Sequence, residues 1–143
     1  VSLIYLRESI NSYFNRCFLS CTITLGCASE NIILILTDAS TNFFKNDTTY
    51  VNKINSIEGI YRIFEELKKR IILDKKNLPP ELRKDIEPKL EMMFNFVRLI
   101  RNRTGHPTGN IPPTKTVYAN LQNFVDYAKY VYELIDFMSN SVL

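Results

Sequence analysis

The chain has no tryptophan, a single histidine, four glycines and six prolines among its 143 residues. So few turn-forming residues argue against a β-rich fold, which needs Gly- and Pro-bearing turns between many short strands. With one imidazole there is no His-Glu zinc motif and no Ser or Cys nucleophile backed by a second histidine. A Gly-rich phosphate loop is also missing. The three cysteines make an odd count, so a secretory disulfide framework is not indicated. Cys17, Cys21 and Cys27 lack a fourth soft ligand nearby, and the expectation is reduced thiols packed in a cytoplasmic protein, with no metal and no cofactor. No signal peptide is recognisable. The excess of one sign of charge is small as well: 18 basic against 15 acidic residues leave +3, too mild to single out a nucleic-acid partner.

What is present is a globular composition, 45% apolar and 23% charged, which excludes a disordered chain. At this length residues 1–143 read as one domain that buries roughly 70% of its unfolded surface. The stretch from Cys17 to Thr37 contains one charged residue, Glu30, and is long enough to span a bilayer. It also carries Ser20, Thr22, Thr24, Ser29, Asn31 and Thr37, and a carboxylate at mid-span costs roughly 3 kcal/mol on insertion. A buried helix at the centre of a bundle is the expectation, with no membrane partner.

Hydrophobic periodicity predicts helices throughout. Leu3, Leu6, Ile10 and Tyr13 mark one face of a first helix, and a second runs from about Arg16 to Asn42. Asn46 and Asp47 offer cap chemistry for a third, with Ile57, Ile60, Phe64, Leu67 and Ile71 on one stripe. Pro79-Pro80 starts a fourth, restarted or kinked near Pro88 and continuing to about Arg103. After a Gly- and Pro-rich loop, the last helix places Val117, Leu121, Phe124, Ala128, Val131, Ile135 and Met138 at alternating spacings of 4 and 3. The fold class is therefore all-α, an antiparallel up-and-down helical bundle of four to five helices.

The only histidine, His106, follows Arg101, Asn102 and Arg103. One account of this segment is structural: cations suit a helix C-terminus, Gly105 a helix stop and Pro107 the residue after it. Arg101, however, continues the stripe of Leu90, Phe94 and Val97, and a guanidinium aimed at apolar surface needs an anion or an interface. Glu30 poses the same question. A buried carboxylate is either one half of a register-fixing ion pair or the orienting partner of Arg101 or Arg7. Arg98 and Arg103 can cap the helix end or contact phosphate. The runs Lys68-Lys69-Arg70, Lys75-Lys76 and Arg83-Lys84 form a solvated end or an RNA contact. Tyr118, Tyr127, Tyr130 and Tyr132 read as packing or interface residues, with base stacking the alternative.

The segment Arg101-Asn102-x-x-Gly105-His106-Pro107-Thr108-Gly109 resembles the Arg-x(4–6)-His motif of the HEPN superfamily in its bacterial form. Leu25-Gly26-Cys27-Ala28-Ser29-Glu30 is similar to a Leu-Gly-Ala-(Ala/Ser)-Ser-Glu turn of the long helix in the same proteins. The resemblance covers about Leu3 to Met138 and implies an HEPN-like bundle that dimerises, bringing two motifs to one cleft. Active members are metal-independent endoribonucleases, found as toxins and in defence against phage; others serve as nucleotide-binding, RNA-binding or dimerisation modules. The implied partners are RNA, a second copy, and a cognate antitoxin or larger defence protein. Carried across, His106 is general acid or base at the RNA 2′-hydroxyl, Arg101 stabilises the phosphorane, Asn102 positions one of them and Glu30 supports. Some relatives are controlled through a Tyr two residues after the His; that position here is Thr108.

Overall fold

The computed structural model describes the backbone of residues 1–104 and 111–141 and the side chains of 1–96 and 111–141. Among these the chain is all-helical, a bundle of five long helices and two short ones. They are α1 (Ser2–Phe14), α2 (Phe18–Phe43), α3 (Thr48–Ser56), α4 (Ile60–Leu73), α5 (Pro80–Arg83), α6 (Ile86–Thr104) and α7 (Thr114–Ser139), with a 3-10 turn at Lys75–Asn77.

The apolar run becomes α2, the axis on which α1, α4, α6 and α7 all pack. Leu25, Ala28, Ile32 and Leu36 form its innermost ridge at spacings of 3 and 4 and are excluded from solvent. Each buried aliphatic side chain of Leu size contributes about 1.5–3 kcal/mol, enough for this ridge to organise the bundle. Among the described residues α2 is the one helix long and apolar enough to cross a membrane, and the core helix of a bundle passes the same test.

Cross-contacts fix the direction of each helix. Ser2 and Ser9 of α1 bond Asn31 and Cys21 of α2, so these two run antiparallel. Lys53 meets Glu66 across α3 and α4, Lys68 meets Glu91 across α4 and α6, and Phe96 of α6 packs on Tyr127 of α7. Direction thus alternates along the chain. As a result α7 lies parallel to α2, with Tyr127 beside Ser29 and Phe137 beside Phe43.

Two local expectations need correction, and one alternative is decided. The third helix is two helices: Asp47 does cap α3, accepting from the Tyr50 N–H at 3.0 Å, but the chain breaks before α4 at Gly59, whose φ of 92° an L side chain rarely adopts. Of the two alternatives near Pro88, the structure takes the restart: α6 begins at Ile86, after Asp85 at φ 57°, and Pro88 sits harmlessly in its first turn. The apolar stripe on α1 is only half used, since Leu3 is 72% exposed while Ser2 and Ser9 are buried. Small hydroxyl side chains let α1 lie close on α2: Ser9 Oγ donates to the Cys21 carbonyl at 2.8 Å, and Ser2 Oγ to Asn31 Oδ1 at 2.5 Å.

Candidate functional site

The candidate site grows from α6. Glu87 in its first turn complements the helix dipole, and Ile86, Leu90, Met93 and Phe96 anchor it in the core at spacings of 4, 3 and 3. Phe94, next to this ridge, stacks on Phe64 of α4 with ring planes 18° apart. The helix then continues to Thr104, so the backbone carries Arg101, Asn102 and Arg103 in its last turn and Arg98 one turn earlier. The side chains of Arg98, Arg101, Asn102 and Arg103, and the whole of His106, lie outside the described residues.

Helix direction locates that last turn. α6 runs antiparallel to α4 and α7, so the backbone beyond Phe96 heads for the end of the bundle where α2, α4 and α7 begin and α1 ends. Glu30 is on α2, which packs on α6. It is half-buried rather than sealed in the core, and it does not stand without a partner. The reason is the open side of α2: Leu19, Ile23, Glu30 and Leu34 share a stripe at spacings of 4, 7 and 4, and all three apolar members are partly in solvent.

The basic runs do not act as one patch. Arg70 is a structural clasp, with its guanidinium 2.9 Å from Asp47 and 3.0 Å from Asp74, the latter an ion pair without a well-aligned hydrogen bond. It also lies over the rings of Phe44 and Tyr50. Lys68 pairs with Glu91, and Lys75 with Glu87, each at 2.5 Å. Lys69, Lys76, Arg83 and Lys84 remain exposed. A groove of about 580 Å³ between α3 and α4 is lined by Arg62, Lys69, Glu65 and Glu66, a mixture that favours no ligand charge.

The tyrosines divide. Tyr127 is buried and donates to Ser29 Oγ; Tyr130 donates to the Leu82 carbonyl at 2.8 Å; Tyr118 and Tyr132 are exposed. Burial pushes the phenols of Tyr127 and Tyr130 well above their ordinary value, so both are packing groups rather than acids or bases near neutral pH. Burial likewise raises the Cys21 thiol, against a smaller lowering by its hydrogen bond to Ser9, and a neutral thiol is a poor nucleophile. Among the described residues no three His, Cys, Asp or Glu side chains converge to hold a metal ion.

Arg16, which the periodicity passes over, stands exposed between α1 and α2 at φ 58°. Its one sequence signal is negative, a helix stop with no glycine. No family model matches the chain, and no curated protein or solved structure matches it either.

Proposed function

We propose that the chain is a metal-independent endoribonuclease module of the HEPN type, working as a cytoplasmic dimer and held in check by a cognate antitoxin or a larger defence protein. The observation that carries this reading is the junction of Arg101-Asn102 and His106. The Arg and Asn are in the last turn of α6, which the structure describes to Thr104, the His follows Thr104 by two residues in the sequence, and α6 packs on the helix bearing Glu30. The open apolar stripe of Leu19, Ile23 and Leu34 around Glu30 supports a second copy as partner.

RNA brings its own nucleophile, so the protein needs only a proton shuttle and a fixed cation. His106 takes the proton of the 2′-hydroxyl as the 2′-oxygen attacks phosphorus. The bond from phosphorus to the 5′-oxygen then breaks, and that oxygen takes a proton from the partner subunit's His106. The products are a 2′,3′-cyclic phosphate and a free 5′-hydroxyl. Arg101 stabilises the added negative charge of the phosphorane, Asn102 holds the imidazole or guanidinium in place, and Glu30 orients the cation. Arg98 and Arg103 contact flanking phosphates. An imidazole suits this shuttle because it exchanges protons near neutral pH.

The test is incubation of the purified protein with varied RNAs in EDTA, with end-group analysis of the fragments. Cleavage should persist in chelator and fall by about 10²–10³-fold or more in Arg101→Ala and in His106→Ala, while light scattering shows an unchanged dimer. An intact dimer that cleaves none of the RNAs would instead indicate a non-catalytic nucleotide- or RNA-binding or dimerisation module. A monomer would defeat the shared-cleft mechanism.

A further inference from the structure

The end of the bundle toward which α6 runs carries aromatic and basic surface that the core does not use. Phe14, at the end of α1, is 77% exposed, and Tyr118, near the start of α7, is 49% exposed. Tyr13 joins them: its ring centroid is 5.9 Å from Phe14, 6.1 Å from Tyr118 and 5.9 Å from Phe18. Gln122 donates to the Tyr118 hydroxyl at 2.9 Å, which steadies the ring.

Arg16 belongs to the same end. The Cys17 N–H bonds the Ser12 carbonyl at 2.8 Å and the Arg16 N–H bonds that of Tyr13 at 3.0 Å, a helix close whose left-handed position favours glycine. An arginine there is strained, and among the described residues its exposed side chain makes no ion pair that would offset the strain. Lys115, also exposed, precedes Tyr118 by three residues on α7. No acid lies near in sequence: the closest on α1 is Glu8 and the closest on α7 is Asp126.

We propose that Phe14, Tyr118, Arg16 and Lys115 form a platform for single-stranded RNA, with bases stacked on the two rings and phosphates against the two cations. Exposed rings beside cations that make no ion pair among the described residues are the chemistry of single-strand binding, because an unpaired base offers a free face and its backbone a regular anion. A duplex hides its base faces and would gain only the charge. The choice of RNA rests on the ribonuclease reading above. Under that reading the platform holds the strand flanking the scissile phosphate, since the last turn of α6 heads for this same end.

Fluorescence anisotropy on Arg101→Ala protein in EDTA, with a labelled RNA of about 12 nucleotides, separates binding from cleavage. The single strand should bind more tightly than a duplex of equal length, and Phe14→Ala and Tyr118→Ala should each weaken it about tenfold or more. Arg16→Gly should lower affinity and reduce the salt slope by about 0.7, without loss of thermal stability. Single-strand binding that is unchanged in the Phe14→Ala/Tyr118→Ala protein, or equal binding of duplex, would overturn the platform. So would dissociation of a dimer by those substitutions, which would make the surface an interface between copies. Failure of the ribonuclease reading looks different: no cleavage by the wild-type chain, whatever the binding results.

Discussion

The Tyr127 hydroxyl donates to Ser29 Oγ at 2.5 Å, and Ser29 Oγ donates in turn to the Leu25 carbonyl at 2.8 Å, a relay buried between α7 and α2. It explains a hydroxyl in the middle of the most apolar helix: Ser29 is there to receive the phenol. Ser29→Ala is expected to cost about 1–3 kcal/mol by stranding a buried donor, and Tyr127→Phe about 1 kcal/mol. Removing both partners should cost less than the sum of the two losses. A urea-denaturation double-mutant cycle measures this, and strict additivity would show that the two groups do not depend on each other.

Alkaline pH should unfold the protein through its buried phenols. Burial raises the pKa of Tyr50, Tyr127 and Tyr130 above the ordinary 10.0, so the folded chain keeps protons that the unfolded chain releases. Stability is then complete below about pH 10 and declines above it, at up to about 1.4 kcal/mol per pH unit for each such tyrosine. Denaturant midpoints from pH 8 to about 11 read the slope. Tyr127→Phe should flatten it by one tyrosine, and an identical slope in that variant would remove Tyr127 from the effect.

The helices were legible in the sequence because apolar spacing of 3 and 4 reports which faces are buried. In α7, Val117, Phe124, Val131 and Met138 are core residues as the pattern requires. Leu121 and Ile135 are only half-buried, and Asn120, Tyr127 and Leu134 are buried in their place. The stripe is turned toward Ser29, a partner 98 residues away that local periodicity cannot register. The half-used stripe of α1 escaped for the same reason, because tertiary packing decides that Ser2 and Ser9 are covered and Leu3 is not. For the candidate site, the sequence set Arg101 and Asn102 at the end of a helix, and the backbone agrees. Arg16 and Phe14 could not be picked out beforehand, since strain and exposure are properties of the folded chain.

Gly59 is the hinge that parts α3 from α4, and its substitution isolates a purely conformational cost. A Cβ built there meets nothing within 4 Å, so Gly59→Ala introduces no clash. Its φ of 92° is nonetheless a region that L residues rarely occupy. The expected loss is about 1–3 kcal/mol in chemical denaturation, with helix content retained. Unchanged stability would mean that the Ile57–Gly59 connection relaxes freely.

Stability measurements also distinguish the roles of His106 and Glu30. The Gly- and Pro-bearing sequence around His106 predicts a loop histidine that contributes little packing, so His106→Ala should change unfolding free energy by no more than about 0.5 kcal/mol, even where it abolishes RNA cleavage. A loss above about 2 kcal/mol would show His106 to be a packing residue, and the structural account of its segment would then prevail. Glu30 is half-buried on an apolar stripe and has a partner, so Glu30→Ala should be the costlier change, at about 1–2 kcal/mol. If Glu30 orients Arg101, Glu30→Gln should lower kcat with KM nearly constant, because the cation then meets the phosphorane less well while RNA still binds. A rise in KM alone would move Glu30 from positioning to binding.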